Sequence, residues 1–384
     1  MSDWRLITDA GVGAAAGLAT DEALMLHYAR GGQPDSEATL RLYTYAPHAA
    51  LVGRYQHLEA EVDRDACAQL GIAVSRRPTG GGAIVMGPDQ LGVAVTTRAP
   101  ADAAPRDLLA QYAAGILAGL RSLGVHAEFR GKNDLQVGGR KIAGLGLYVD
   151  DAGALLFHAS VLAGLDIALM LAALRIPGAK LADKGIERVE DRITTVSRET
   201  GRPHSGADLQ AAIADGFASQ LGVRLTHGQL DATERELAER RITERYEEPG
   251  WLAGRIETTG TRGTASLKTP AGLVRVYAGV QNGAISSVMI AGDFSVMPSR
   301  LLALEAALRW CRADPERIRA IARRECAGDE LSVGPDPIAA AVWSATERAL
   351  ARAAAAQPVR PTGSCYFPDG DRAALGVSNE EMVA

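Results

Sequence analysis

The chain has 384 residues, of which 47% are hydrophobic and 23% charged, with a formal net charge of −5. This excludes general disorder and gives no basis for broad attraction to nucleic acid or to an anionic membrane. Four widely spaced cysteines, Cys67, Cys311, Cys326 and Cys365, form no C-x-x-C pair, so neither a zinc site nor a disulfide framework is expected. The length suits two domains with a short appendage. The opening Met1–Arg5 has no basic region followed by an apolar core, and no stretch reaches the roughly 18 apolar residues of a membrane helix, so a cytoplasmic protein is expected.

A short strand is predicted around Trp4–Ile7, then a helix over Ala14–Arg30 that carries Asp21 and Glu22, with Thr20 as an alternative helix start. Leu40–Tyr45 alternates like a half-buried strand, and Ala50–Gly53 reads as another. Glu61–Leu70 has helical spacing and ends at Gly71, before the strand Ile72–Ser75. There follow Arg76-Arg77-Pro78-Thr79-Gly80-Gly81-Gly82 and the apolar Ala83-Ile84-Val85-Met86. A bare triple glycine reads as a flexible turn. Two arginines ahead of it and strands on both sides favour a loop whose amides converge on a phosphate or carboxylate.

Leu91–Thr97 is a strand, and Pro105–Leu123 a long amphipathic helix closed by Gly124. Arg130–Gly144 reads as a β-hairpin turning at Gly138-Gly139, so that Arg140 and Lys141 begin the return strand on opposite faces. Further strands are predicted at Gly146–Val149 and Ala154–Val161, helices at Asp166–Leu174 and Asp208–Leu221, and a charged surface helix over Asp231–Glu248. A boundary falls near Pro249-Gly250-Trp251. Strands at Ala265–Lys268, Gly272–Ala278 and Gly283–Ile290, and then the helix Arg300–Trp310, form a small α+β unit. An Ala-rich helix starts at Pro337. The P-loop, the G-x-S-x-G elbow and H-E-x-x-H are all missing.

With these stretches in place, the chain resembles the lipoate-protein ligase family, relatives of octanoyltransferases and biotin ligases. The resemblance rests on Asp21-Glu22-Ala23, Gly53-Arg54-Tyr55-Gln56, Arg76–Val85, Asn133-Asp134-Leu135, Arg140-Lys141-Ile142-Ala143-Gly144, Lys184-Gly185-Ile186 and Asp191-Arg192-Ile193-Thr194. From about Tyr246 through Trp310 it extends to the accessory domain of such ligases, notably Trp251 and Gly292-Asp293-Phe294.

The resemblance implies an α+β fold: a catalytic domain of mixed sheets flanked by helices over 1–245, an accessory domain over 246–330, and a helical appendage and tail over 331–384. It implies ATP-dependent activation of lipoate to lipoyl-AMP and transfer to an acceptor lysine, with ATP, Mg2+ and lipoic acid bound. Lys141 is then the catalytic residue, bridging the lipoate carbonyl and the α-phosphate. Arg77, Thr79, Gly80, Gly81, Gly82, Ala83, Ile84, Val85, Asn133 and Asp134 line the nucleotide site, with Asp134 on the metal. Gly53, Arg54, Arg76, Lys141 and His158 bind the substrate. The acceptor is an E2 lipoyl domain, a glycine-cleavage H protein or an H-like carrier, docked by Arg130, Lys132 and Arg140. Met86-Gly87 departs from the family's usual histidine, often followed by Asp, after the glycine run. Two other readings are an octanoyl or lipoyl transferase, which needs a thioester on a cysteine, and a non-catalytic lipoate- or lipoyl-domain-binding protein.

Overall fold

The computed structural model describes residues 2–29, 36–100, 103–176, 189–255, 261–270, 272–294, 297–327 and 333–356. Lys184-Gly185-Ile186, Cys365 and most of the tail lie outside the described residues.

Alternation along the strands builds the central layer. Strands β1 (Asp3–Thr8), β2 (Ala38–Tyr43), β6 (Gln90–Arg98), β7 (Glu128–Arg130), β8 (Asp134–Val137), β9 (Arg140–Val149), β10 (Ala154–Leu162) and β11 (Arg224–His227) form one mixed sheet in the order β11-β1-β2-β6-β10-β9-β8-β7. Every second residue points to one core: Leu40 and Leu42 from β2, Leu91, Val93 and Val95 from β6, Leu155, Phe157 and Val161 from β10. The helices Pro105–Ser122 and Gln210–Leu221 cover that face with Ile116, Leu120, Ile213 and Phe217. The intervening residues face the opposite way, where the helix Ala14–His27 packs and where a second sheet lies.

That second sheet is small. Strands β3 (Ala49–Val52), β4 (Ala73–Arg76) and β5 (Ile84–Met86) lie in the order β4-β3-β5, β3 parallel to β4 and antiparallel to β5. The glycine run is the β4–β5 connection, so it crosses the end of this sheet beside the last residue of β3, Val52. The predicted helix over Glu61–Leu70 is broken into Leu58–Glu61 and Arg64–Gln69, because Asp63 caps the second piece by accepting from the Ala66 amide at 3.0 Å.

The accessory unit is an antiparallel sheet, β12 (Thr261–Thr269), β13 (Gly272–Gln281) and β14 (Ala284–Gly292), backed by helices Ser299–Leu308, Pro315–Glu325 and Pro335–Ala356. Ile338, Val342 and Ala345 of the last helix share a core with Val276, Ile290 and Leu304. The helical part of the expected appendage is therefore the third wall of the accessory domain, not a separate unit.

The expected helix from Ala14 stands, and two further expectations are corrected. The helix Ala14–His27 runs without interruption past Thr20. Gly146–Val149 is the far half of β9, because β10 pairs with β9 from Val161↔Ala143 to Leu155↔Val149. The charged run after Asp231 is not merely a surface helix. Its capping box, Asp231 with Glu234, starts the helix Ala232–Arg241, and the next turn, Ile242–Tyr246, sends Arg245 and Tyr246 to Glu22 at 2.7 and 2.8 Å.

Candidate active site

The groove between the two sheets is floored by the inner faces of β9 and β10. Gly144, Gly146 and Tyr148 alternate along β9, and Leu156, His158 and Ser160 lie opposite on β10, with His158 paired to Gly146 and Ser160 to Gly144. A side chain at Gly146 would place its Cβ 2.3 Å from His158 Nε2. Glycine there leaves room for the imidazole.

Lys141 reaches this floor through a β-bulge. The β8–β9 register shifts between Leu135 and Gln136, so Ile142 and Ala143 both turn into the main core and Lys141 falls on the same face as Gly144. Lys141 Nζ rests 2.9 Å from where a Cβ at Gly144 would stand, and forms an ion pair with Asp134 Oδ1 at 2.7 Å. The Lys141 side chain is 38% exposed, so the ammonium faces the groove and stays wet. Arg140, on the opposite face, pairs with Glu199 at 2.9 Å. The Gly138-Gly139 turn has both φ angles positive, 54° and 79°, as a two-residue hairpin requires.

Above the floor lies the glycine loop. Thr79 Oγ1 and His158 Nε2 are 2.9 Å apart, joining the loop to β10. Burial, with Arg77 nearby, pushes His158 down to about 3, so the imidazole is neutral. Gly53 approaches the loop so closely that an added Cβ would sit 2.0 Å from the Gly81 carbonyl oxygen. The Gly80 and Gly82 amides meet no acceptor among the described residues, whereas the Gly81 amide donates to Phe294 O at 2.9 Å. Ile84 and Val85 are held in the ladder with β3, and Ala83 packs against the core beneath the small sheet.

The two arginines do something other than expected. Arg76 was expected on the substrate, but it is buried and its donors all go to main-chain oxygens. Nη1 donates to Gly53, Arg54 and Gln56 at 2.8–3.2 Å, and Nε and Nη2 to Trp251, Leu252 and Ala253 at 2.9–3.2 Å. Arg77 was expected on phosphate, but its Nη1 donates to Leu51 O at 3.0 Å and its Nη2 to Gly80 O and Gly82 O at 2.9 and 2.7 Å. Burial depresses both guanidinium groups to about 10, which leaves them cationic at neutral pH. Their role here is to brace the loop and lend it positive field from below.

Asn133 likewise braces: its Nδ2 donates to Leu145 O at 2.8 Å. Asp134 holds Lys141. Magnesium is commonly held by one or two carboxylates together with substrate phosphates, but Asp134 is already paired. The one cluster of three potential metal ligands among the described residues, His27, Asp231 and Glu234, has Glu234 engaged by Arg5 at 2.5 Å. At Asp134 one carboxylate oxygen, Oδ1, is thus engaged by Lys141, and the side chain remains 32% exposed. Arg54 is half-buried, its guanidinium 5.3 Å from the Tyr148 ring centroid and 5.7 Å from that of Tyr55. Met86 is buried in the core beside the helix Ala14–His27, and the ring of His48 occupies the space that a side chain at Gly87 would need.

Sequence reasoning placed Trp251 at a domain boundary and missed its part in the site. Its Nε1 donates to Arg76 O at 2.8 Å, and its ring packs edge-on against Tyr246. From the accessory domain, Asp293 accepts from Gln56 Nε2 at 2.9 Å, and Arg275 pairs with Glu61 at 2.8 Å. Such contacts join residues more than 170 positions apart and carry no local signal.

The described thiols lie away from this groove. Cys67 is buried under the small sheet against Ala173, while Cys311 and Cys326 are in the accessory core. Burial raises Cys67 and Cys311 above the ordinary thiol range.

With the geometry in hand, comparison with known proteins gives a consistent result. The family model described as the lipoyl protein ligase A/B catalytic domain matches residues 14–218. Octanoyltransferase LipM of Symbiobacterium thermophilum is 32% identical over 275 residues, 65% of this chain and 98% of that protein. Among solved structures, a bi-partite lipoate protein ligase from Thermoplasma acidophilum, described with its E2 lipoyl domain, superposes with a TM-score of 0.59 and 26% identity over 67% of this chain and 99% of that one. Lipoate-protein ligase A bound with ATP gives a TM-score of 0.58 and 25% identity over 67% of this chain and 100% of that chain. No helix among the described residues is long and apolar enough to cross a membrane.

Proposed function

Because the chain belongs to the lipoyl protein ligase A/B catalytic-domain family, we propose that it transfers a lipoyl or octanoyl group to a lysine of an acceptor protein in the cytoplasm. The observation that carries this reading is the Lys141 ammonium held by Asp134 over the glycine-floored groove, under a loop with unpartnered Gly80 and Gly82 amides.

Attack of an amine on an acyl carbonyl builds negative charge on the carbonyl oxygen. A pre-positioned cation lowers that barrier without reorganising during the step. Lys141 supplies the cation, and Asp134 fixes its direction while leaving donor hydrogens on Nζ for the substrate. Neutral His158 positions Thr79 and offers no charge to compete with Lys141.

For the acyl donor, the name of the LipM relative supports octanoyl transfer more directly than lipoate ligation. A second reading, ATP-dependent ligation through an acyl-adenylate, is favoured by a separate observation. The described thiols are buried away from the groove with raised pKa values, which is poor placement for a thioester nucleophile. The Gly80 and Gly82 amides would then receive nucleotide phosphate. The acceptor is an E2 lipoyl domain, a glycine-cleavage H protein or an H-like carrier.

The donor test offers an apo acceptor domain two mixtures: lipoate with Mg-ATP, and octanoyl-acyl carrier protein without ATP, each before and after thiol alkylation. Acceptor acylation from the second mixture, abolished by alkylation, supports the transferase. Pyrophosphate release and acylation from the first, unaffected by alkylation, support the ligase. Acylation from neither sinks the reading.

A further inference from the structure

The segment Asp191-Arg192-Ile193-Thr194 carries part of the family resemblance, and its place in the fold follows from where β10 ends. The β9–β10 ladder stops at the pair Val161↔Ala143, two residues short of Lys141, and Leu162 is the last residue of β10. Lys141 would therefore stand at an open strand edge on that side. Ile193 fills the gap: it bridges Lys141 in parallel register, and the Thr194 amide donates to Lys141 O at 2.9 Å. The main chain at Lys141 is thus flanked on both edges, by Gln136 of β8 and by Ile193.

That flanking segment is itself fixed by one carboxylate. Glu199 Oε1 accepts from Thr194 Oγ1 and, at 2.9 Å, from Arg140 Nη2. Thr194 is buried, and Arg140 Nε is buried without an acceptor, so Glu199 is the side-chain partner of both among the described residues. Glu199 sits on the short helix Val196–Thr200, which Thr195 caps by accepting from the Arg198 amide at 3.1 Å. The helix is anchored twice: Val196 lies in the main core, and Ser197 donates to Ala163 O through its amide at 2.9 Å and its hydroxyl at 2.7 Å. A single carboxylate, tethered just past the end of β10, therefore grips both the residue before Lys141 and the residue whose amide holds Lys141 O.

This clamp bears on which cation faces the groove. Arg140 and Lys141 are neighbours on opposite sides of β9, next to a bulge, and a slip of one residue would exchange them. A forked guanidinium does not replace a compact ammonium. With Arg140 tied to Glu199, Lys141 keeps the groove side.

We propose that Glu199 and Thr194 are positioning residues for Lys141: acting through Arg140 and through the Lys141 carbonyl, they keep the ammonium directed into the groove. The proposal rests on the reading of Lys141 as the cation that drives transfer.

The test uses the full-length protein as wild type, Glu199→Gln, Thr194→Val, Thr194→Ser and Lys141→Ala. One readout is the kcat and acceptor KM of acylation with the donor the wild type accepts. The other, taken without donor or acceptor, is labelling of Lys141 Nζ by trinitrobenzenesulfonate relative to the exposed Lys268, read by peptide mass. Thr194→Val and Glu199→Gln should lower kcat about tenfold with KM held within about twofold, and should raise Lys141 labelling roughly threefold as the ammonium leaves Asp134. Thr194→Ser, which keeps the hydroxyl, should stay near wild type in both. Valine and glutamine nearly match the shapes they replace, and ligand-free hydrogen exchange checks that these variants fold. Unchanged Lys141 labelling in Thr194→Val and Glu199→Gln would overturn the proposal, as would equal effects of Thr194→Val and Thr194→Ser or a loss carried by KM alone. The labelling does not depend on transfer: a raised label together with wild-type acylation by Lys141→Ala would leave the clamp standing and remove the transfer reading instead.

Discussion

Lys141 and Asp134 form a half-exposed pair, so their contact contributes little to folding and much to where the ammonium points. Asp134→Asn should change stability by no more than about 1 kcal/mol, yet lower the acyl-transfer rate roughly tenfold, because an unaligned cation loses part of its field at the carbonyl. Chemical denaturation and single-turnover acylation read the two effects separately. His158 makes the opposite kind of contribution. Its folded pKa, about 3, lies below the ordinary histidine value, so only the unfolded chain takes up a proton between those limits. The associated stability is fully present above about pH 6.5 and declines as pH falls toward 3, by up to about 1.4 kcal/mol per pH unit. In His158→Asn that part of the slope should vanish, as denaturation midpoints at pH 7, 6 and 5 will show; an unchanged slope would mean the imidazole is not held neutral.

At the level of elements, the glycine loop depends on contacts made from outside it. Gly53→Ala would drive a methyl into the Gly81 carbonyl. The expected cost is about 1–3 kcal/mol, with loss of transfer activity, measured by thermal unfolding and by acylation. Trp251→Phe keeps the ring against Tyr246 but removes the donor to Arg76 O. It should cost about 1 kcal/mol. The sequence made the loop itself legible, since three glycines after two arginines between strands have few other uses. The arginines were misjudged because their acceptors are main-chain oxygens brought in by β3 and by the segment Trp251–Ala253, and a carbonyl has no residue-type signature. The bulge that delivers Lys141 was partly visible as two consecutive apolar residues, Ile142 and Ala143, in a strand that should alternate. The hairpin turn was fully visible in its paired glycines.

At the scale of the whole molecule, the elements follow from patterning, and their assembly does not. The alternating strands and the long amphipathic helix Pro105–Ser122 are legible in the pattern, the order of later elements predicts a smaller α+β unit, and the mixed-sheet domain is what the family resemblance implies, as found. What joins them is a set of single contacts: Arg275 with Glu61, Asp293 with Gln56, Phe294 with Gly81. Through Phe294 the accessory domain holds one amide of the loop, so the two domains complete the candidate site together. The Ala-rich helix was set aside as an appendage because its small apolar residues give no partner-specific signal, yet it closes the accessory core.

The central claim is that a single ammonium, Lys141, drives acyl transfer from this groove, whichever donor loads it. The most direct measurement is the single-turnover rate of acceptor acylation, read by intact mass, for wild type, Lys141→Ala and Lys141→Arg with the donor the wild type accepts. The account predicts a loss of about 10²–10³-fold in Lys141→Ala, with partial recovery in Lys141→Arg and no loss of fold. Acylation by Lys141→Ala at the wild-type rate would contradict it.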